Sequence, residues 1–335
     1  MSELPLLAIT MGDPAGIGPE VTVKALGDGG LHAICRPLVI GDVGVLEAAA
    51  RVCGVTAPLR PVADPLRAAG APGIDVLDLA NVDRDAWRWG ALSATCGRAA
   101  MAYIYRAMEL TDSGVAAGMV TAPINKEATS LAGYKELGHM ELFGKVYRAA
   151  NQATMLVSGT LRCVHLSTHY SLREALDRIT RERVLSRILT THHDFRRWGM
   201  PRPRIAVSGV NPHNGEGGLM GREEIEHLAP AVEDARAQGI DARGPFPADS
   251  VYVRAMHGEF DAVVAMFHDQ GHIPVKVHGF EQSVSVALGL PIVRTSVDHG
   301  TAFDIAGTGK ADARSMAEAI TVAAQICAGT WLRSR

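Results

Sequence analysis

The feature that most constrains this chain is an alternation. Short apolar, β-branched runs each end in a loop rich in Gly, Pro, Asp or His, and most are followed by a helical pattern. Such runs occupy residues 4–10, 38–42, 74–79, 118–123, 161–167, 204–208, 261–266 and 290–297. A strand buried on both faces reads as a continuous apolar run, and a helix is the usual crossover between parallel strands. The alternation therefore predicts an α/β chain built on one mostly parallel sheet, or two. Residues 153–157 and 161–167 predict a strand pair joined at Ser158-Gly-Thr160, and Ser171 with Glu174 predicts a capping box opening the next helix. Residues 54–73 read as surface connection, and 244–249 as a rigid loop presenting Asp249.

Open α/β sheets place ligands beyond the carboxyl ends of their strands, so the polar loops are where chemistry is expected. The most loaded is Phe267-His-Asp-Gln-Gly-His272, directly after an apolar run. His169 and His213 occupy equivalent places after residues 161–167 and 204–208. If these strands are parallel, the three imidazoles share one rim. Three His with open positions suit a catalytic divalent ion such as zinc, cobalt or nickel, with magnesium and manganese as further candidates. Asp249 and Asp269 could orient the rings.

A second group seeks anions. His139 opens a helix, whose N-terminus favours negative charge, and Lys276 and Arg294 lie on or after the runs 261–266 and 290–297. Lys126 sits at a strand-to-helix junction, where a cation is poorly placed for the helix dipole. The loop Met11–Glu20 holds three glycines and two prolines, but Gly12-x-x-x-Gly16-x-Gly18 lacks dinucleotide-fingerprint spacing. It reads chiefly as backbone geometry between a strand and a helix.

Composition excludes several classes. At 335 residues, 47% hydrophobic and 21% charged, with formal charge −3, the chain has the make-up of an ordinary globular enzyme. No basic run marks a nucleic-acid binder, and no apolar stretch reaches the roughly 18 residues of a membrane span. Five scattered cysteines without a Cys-x-x-Cys pair suit thiols in a reducing compartment. The expected location is cytoplasmic.

The segments Met11–Glu20, Thr121–Lys126, Gly138–Glu141, Thr168-His169, Asn211–His213, Gly244–Asp249, His268–Gly271 and Arg294–Asp312 occur in this order over nearly the whole chain. Together they resemble the 4-hydroxythreonine-4-phosphate dehydrogenase family of pyridoxal phosphate biosynthesis, with its 4-phospho-threonate, 4-phospho-erythronate and terephthalate cis-dihydrodiol relatives. Residues 298–312 are also similar to the nucleotide loop of isocitrate and isopropylmalate dehydrogenases. The resemblance implies a two-domain α/β subunit of the isocitrate-dehydrogenase type, with an interdomain active-site cleft, in an obligate homodimer. The first domain is expected over 1–135 and about 305–335, and the second over about 136–304, carrying metal ligands and dimer interface. His169, His213 and His268 are the implied metal ligands, one of them contributed across the interface. His139, Met140, Lys276, Ser285 and Arg294 are the implied substrate contacts. His299, Gly300, Asp304 and Lys310 mark the implied site for NAD or NADP, and Lys126 and Asp249 are candidates for proton transfer.

The implied reaction is metal- and NAD-dependent oxidation of an anionic 3-hydroxy acid, followed by decarboxylation. This chain departs from the family pattern at Met140, where Thr is usual, and at Ser285, where Asn is usual. Methionine cannot donate to a phosphate oxygen. A lost hydrogen bond to a charged group costs about 1.5–3 kcal/mol, on the order of 10–100-fold in affinity. A phosphorylated hydroxythreonine or threonate leads as substrate, with terephthalate cis-dihydrodiol as the alternative. A non-catalytic binding homologue is a further alternative, opposed by the presence of all three histidines.

Overall fold

The computed structural model describes residues 4–67, 72–136 and 138–331. The chain divides into two units, residues 1–148 with 291–329 and residues 149–290 with 330–335. The first unit opens with β1 (Leu6–Thr10), α1 (Gly18–Gly27), β2 (Arg36–Gly41), α2 (Val43–Cys53), β3 (Leu59–Pro61) and β4 (Ile74–Asp78). It continues through α3 (Ala94–Asp112), β5 (Gly118–Thr121), α4 (Lys126–Leu131) and α5 (His139–Val146). The second unit runs β6 (Ala153–Ser158), β7 (Leu161–His165), α6 (Leu172–Asp177), α7 (Arg181–Arg197), β8 (Ile205–Ser208), α8 (Ala229–Ala237) and β9 (Ala242–Phe246). It ends with α9 (Ala248–Met256), β10 (Ala262–Ala265), α10 (His268–Gly279) and β11 (Val284–Leu288). β12 (Arg294–Val297) and α11 (Arg314–Cys327) return the chain to the first unit.

The expected α/β architecture is borne out. Strands of the first unit lie in the order β3-β4-β2-β1-β5-β12, and their pairings are parallel. Those of the second unit lie in the order β11-β6-β7-β10-β8-β9. There β6 pairs antiparallel with β7 and β11, while β7, β10, β8 and β9 run parallel. Successive side chains of a strand face opposite ways. Thus Val264 and Val207 enter a core with Ile188, Leu228 and Val232, whereas Val263 and Ala206 enter one with Val251, Phe260 and Val275. The Ser171–Glu174 capping box forms as expected.

Three local expectations are corrected, and one strand is added. Among the described residues, 54–73 include β3, a three-residue strand paired on one side, where Pro61 is tolerated at the sheet edge. Ser285 lies within the added strand, β11, whose apolar pattern it interrupts. Residues 244–249 are the end of β9 and the start of α9. His268 begins a helix instead of lying in a loop, although Gly271 and Pro274 both follow it. The five cysteines are free. No helix among the described residues is long and apolar enough to cross a membrane.

Candidate functional site

The order β7-β10-β8 puts three adjacent parallel strands side by side. His169 follows β7, His268 follows β10 and His213 follows β8, so all three leave the same strand ends. The His169 and His268 ring centres are 6.4 Å apart. Two imidazoles on one ion, each about 2.0–2.1 Å from it through nitrogen, have centres roughly 5–6 Å apart. His268 Nδ1 lies 2.7 Å from Asp269 Oδ1. A carboxylate only accepts, so the neutral ring carries its proton on Nδ1 and leaves the Nε2 lone pair for a ligand. Thr168, Tyr170, Leu172, Ala175 and Phe267 line a hollow of about 310 Å³ beside His268 and Asp269.

His213 is presented differently. Residues 213–217 have φ of 49°, 62°, 78°, 43° and 66°, a left-handed turn containing three non-glycine residues. Such backbone is strained and persists only when its surroundings enforce it. Glu224, 3% exposed, supplies much of that enforcement. Its Oε1 accepts from the Val210 and Asn211 N–H groups at 2.7 Å each, and its Oε2 from Asn211 Nδ2 at 2.9 Å. Asn214 Nδ2 donates to the Pro245 carbonyl at 2.8 Å. Among the described residues, no three His, Cys, Asp or Glu side chains gather closely enough to hold a metal. The contact that one chain shows among the three histidines is the one between the His169 and His268 rings.

A cationic cluster lies in the first unit. Arg294, 3% exposed, donates from Nε and Nη2 to Thr121 Oγ1 at 3.1 and 2.6 Å, with its guanidinium 5.6 Å from the Phe143 ring centre. It has no carboxylate in ion-pair reach among the described residues. Burial alone lowers its pKa to about 9, which still leaves it cationic at neutral pH. His139 Nε2 is sealed from solvent with no hydrogen-bond partner, although part of the residue remains open. Burial first, then the charges of Arg294 and Lys126, hold its pKa well below the usual range. Its helix, α5, has Gly138 as N-cap and no side-chain cap. Lys126 is exposed at the start of α4, where Asn125 caps the helix through Ala128 N. An unpaired buried charge beside uncapped helix amides is an arrangement that an anion could satisfy.

Met140, Lys276 and Ser285 are half-buried, with Lys276 Nζ 4.9 Å from the Phe280 ring centre, whereas Asp249 is exposed in the first turn of α9. His299 Nδ1 lies 3.0 Å from the Gly300 carbonyl, while Gly300, Asp304 and Lys310 are exposed. This loop is held by residues not singled out from sequence. Glu20 accepts from the Gly307 and Gly309 N–H groups at 2.6 and 2.8 Å, and Lys24 donates to the Gly309 and Ala311 carbonyls. The Met11–Glu20 loop owes its glycines to packing, since a Cβ on Gly12 (φ 76°) would lie 2.5 Å from the Pro123 carbonyl oxygen.

The family model described as pyridoxal phosphate biosynthetic protein PdxA matches residues 33–323. A protein of Cupriavidus necator named D-threonate 4-phosphate dehydrogenase is 48% identical over 96% of this chain and 97% of its own length. A protein of the same name from Salmonella typhimurium is 46% identical over 97% of this chain and 99% of its own. Among solved structures, a 4-hydroxythreonine-4-phosphate dehydrogenase from Klebsiella pneumoniae superposes with a TM-score of 0.89 at 44% identity, covering 96% of this chain and 99% of that one. A terephthalate 1,2-cis-dihydrodiol dehydrogenase from Burkholderia xenovorans reaches 0.65 at 31% identity, covering 96% and 98%. A match of that extent, joined to near-complete alignment with named dehydrogenases, makes this chain an oxidoreductase and a member of the PdxA family.

Proposed function

We propose that the protein is a metal- and NAD-dependent dehydrogenase that oxidises and decarboxylates a 4-phosphorylated threonate or hydroxythreonine. The observation that carries the phosphate is buried Arg294, which has no carboxylate in reach and stands with Lys126 and His139. An uncompensated buried cation is costly, and a phosphate would satisfy it together with the first amides of α5. The relatives named for D-threonate 4-phosphate, at 46–48% identity, support this substrate over the diol named for the 31% relative.

His169, His213 and His268 would hold the divalent ion. His169 and His268 already converge, and the Asp269 contact gives His268 the required tautomer. The full set would be drawn from two subunits of a homodimer, in keeping with the ligand that the resemblance places across the interface and with the lack of a three-ligand group among the described residues of one chain. When bound, the ion would supply Lewis-acid polarisation of the substrate hydroxyl and of the developing enolate, and NAD the hydride acceptor. Arg294 and the α5 amides anchor and orient the phosphate. Lys126 and Asp249 are the proposed proton carriers.

The test is NAD reduction with D-threonate 4-phosphate and with terephthalate cis-dihydrodiol, before and after chelation and with zinc or cobalt restored. The reading expects preference for the phosphate ester and metal-dependent turnover. Faster turnover of the diol, or activity indifferent to chelation, would overturn it.

A further inference from the structure

Behind His268 lies a second layer of histidine. His272, one turn later on α10, stacks on His268 with ring centres 3.6 Å apart and planes 11° from parallel. Its Nδ1 lies 3.0 Å from His165 Nε2 and 3.1 Å from the His268 carbonyl oxygen. His165 is 1% exposed on β7, and its Nδ1 lies 3.2 Å from the Thr154 carbonyl oxygen on β6.

Carbonyl oxygens only accept, which fixes the protons along this row. His165 Nδ1 must carry hydrogen to reach Thr154. In the neutral ring, Nε2 is then an acceptor, and His272 Nδ1 must donate to it. The His268 carbonyl, also an acceptor, requires that same proton on His272. Burial first, then His272, lowers the His165 pKa to about 3, in keeping with a neutral ring. The chain makes room for this contact at Gly271, where a Cβ would stand 2.4 Å from His165 Nε2.

From this row we infer that His272, held by His165, is a positioning residue that fixes the ring plane of His268. The inference rests on the proposed role of His268 as a metal ligand. His268 is restrained along one edge by Asp269 and across its face by His272. The hydrogen bond His272→His165 ties that face to the β6–β7 strand pair, so the ring is held by the sheet as well as by its own helix. A partner that orients a metal-ligating histidine typically changes metal affinity by about 10–100-fold when removed.

The test uses the full-length apo-protein, stripped with chelator and titrated with Co²⁺, whose visible absorption reports ligation. His272→Ala should weaken Co²⁺ binding by about 10–100-fold. His272→Phe, which keeps a stacking ring but loses the donor to His165, should bind Co²⁺ with an affinity between those of His272→Ala and wild type. Gly271→Ala supplies a second perturbation of the same contact if His272→Ala does not fold. Wild-type Co²⁺ affinity and spectrum in a folded His272→Ala protein would overturn the inference. If His268→Ala leaves Co²⁺ binding unchanged, the metal reading itself fails. ¹⁵N NMR of the histidine side chains then still decides the row: Nδ1–H at both His165 and His272 supports it, and Nε2–H at either overturns it.

Discussion

Arg294 and Asp13 are both buried in the first unit, and burial pushes each toward its neutral form. Arg294 remains charged, so its cost to the empty protein should be visible. Replacing a buried charge by an apolar residue of similar volume is often neutral or stabilising. Arg294→Met should therefore keep or raise the thermal midpoint while raising KM for D-threonate 4-phosphate by at least about 30-fold, or about 2 kcal/mol. Calorimetry and steady-state kinetics check the two halves, and a fall in stability with unchanged KM would make Arg294 structural only. Asp13 is fully buried at the end of β1. Its Oδ1 accepts from Ala15 N at 2.9 Å, and its Oδ2 has no partner. Burial raises its pKa from 3.8 to about 6, against the lowering effect of the Ala15 and Asn125 N–H groups. The folded state thus holds this proton more tightly than the unfolded chain. The contribution is fully present below pH 3.8 and is lost as pH rises through about 6, a change on the order of 3 kcal/mol. His139 acts oppositely: its lowered pKa contributes stability above 6.5 that is lost as pH falls. Asp13→Asn should remove only the first effect, raising stability at pH 7 relative to pH 4. Chemical denaturation at both values measures it, and an unchanged difference between them would exclude the Asp13 proton.

At the level of elements, the left-handed turn carrying His213 depends on Glu224, which is remote from it in sequence. Glu224→Ala leaves the Val210 and Asn211 N–H groups without their carboxylate and Asn211 Nδ2 with Glu223 alone. Stability should fall by about 3 kcal/mol or more, and turnover at least tenfold even in the folded fraction. Thermal unfolding and metal content per chain would test this; full metal loading with full activity would show that the turn holds itself. The same turn marks where sequence stops informing. Strands were legible because two-sided burial writes β-branched runs, and the Ser171–Glu174 cap because its partners are three residues apart. The strand ends that precede His169, His213 and His268 were legible as apolar runs giving way to polar residues. Glu224, Glu20 and His165 were not, since each acts on residues that only the folded chain brings near. β11 was missed because Ser285 interrupts its apolar pattern, and the start of α10 because Gly271 and Pro274 outweigh helix signals locally.

On the whole-molecule scale, α10 presents Ile273, Val277 and Phe280 at 58%, 82% and 64% exposure, an apolar row at helical spacing on the element that carries His268. Exposed apolar surface of this kind marks association, and the proposed homodimer would cover it. Val277→Glu should then shift the protein toward monomer in sedimentation velocity and reduce metal-dependent turnover with it. The proposed sharing of each metal site between two subunits gives a sharper prediction. His213→Ala and His268→Ala homodimers should each be inactive. Unfolded together and refolded at equal concentration, they form mixed dimers in which one of the two sites has both histidines, because they come from different subunits. About one quarter of wild-type activity should return, since about half the dimers are mixed and each has one intact site. If both ligands of a site belonged to one subunit, each mixed dimer would hold one site lacking His213 and one lacking His268, and no activity would return. The mixing experiment therefore decides the subunit origin of the two ligands without requiring a structure of the dimer.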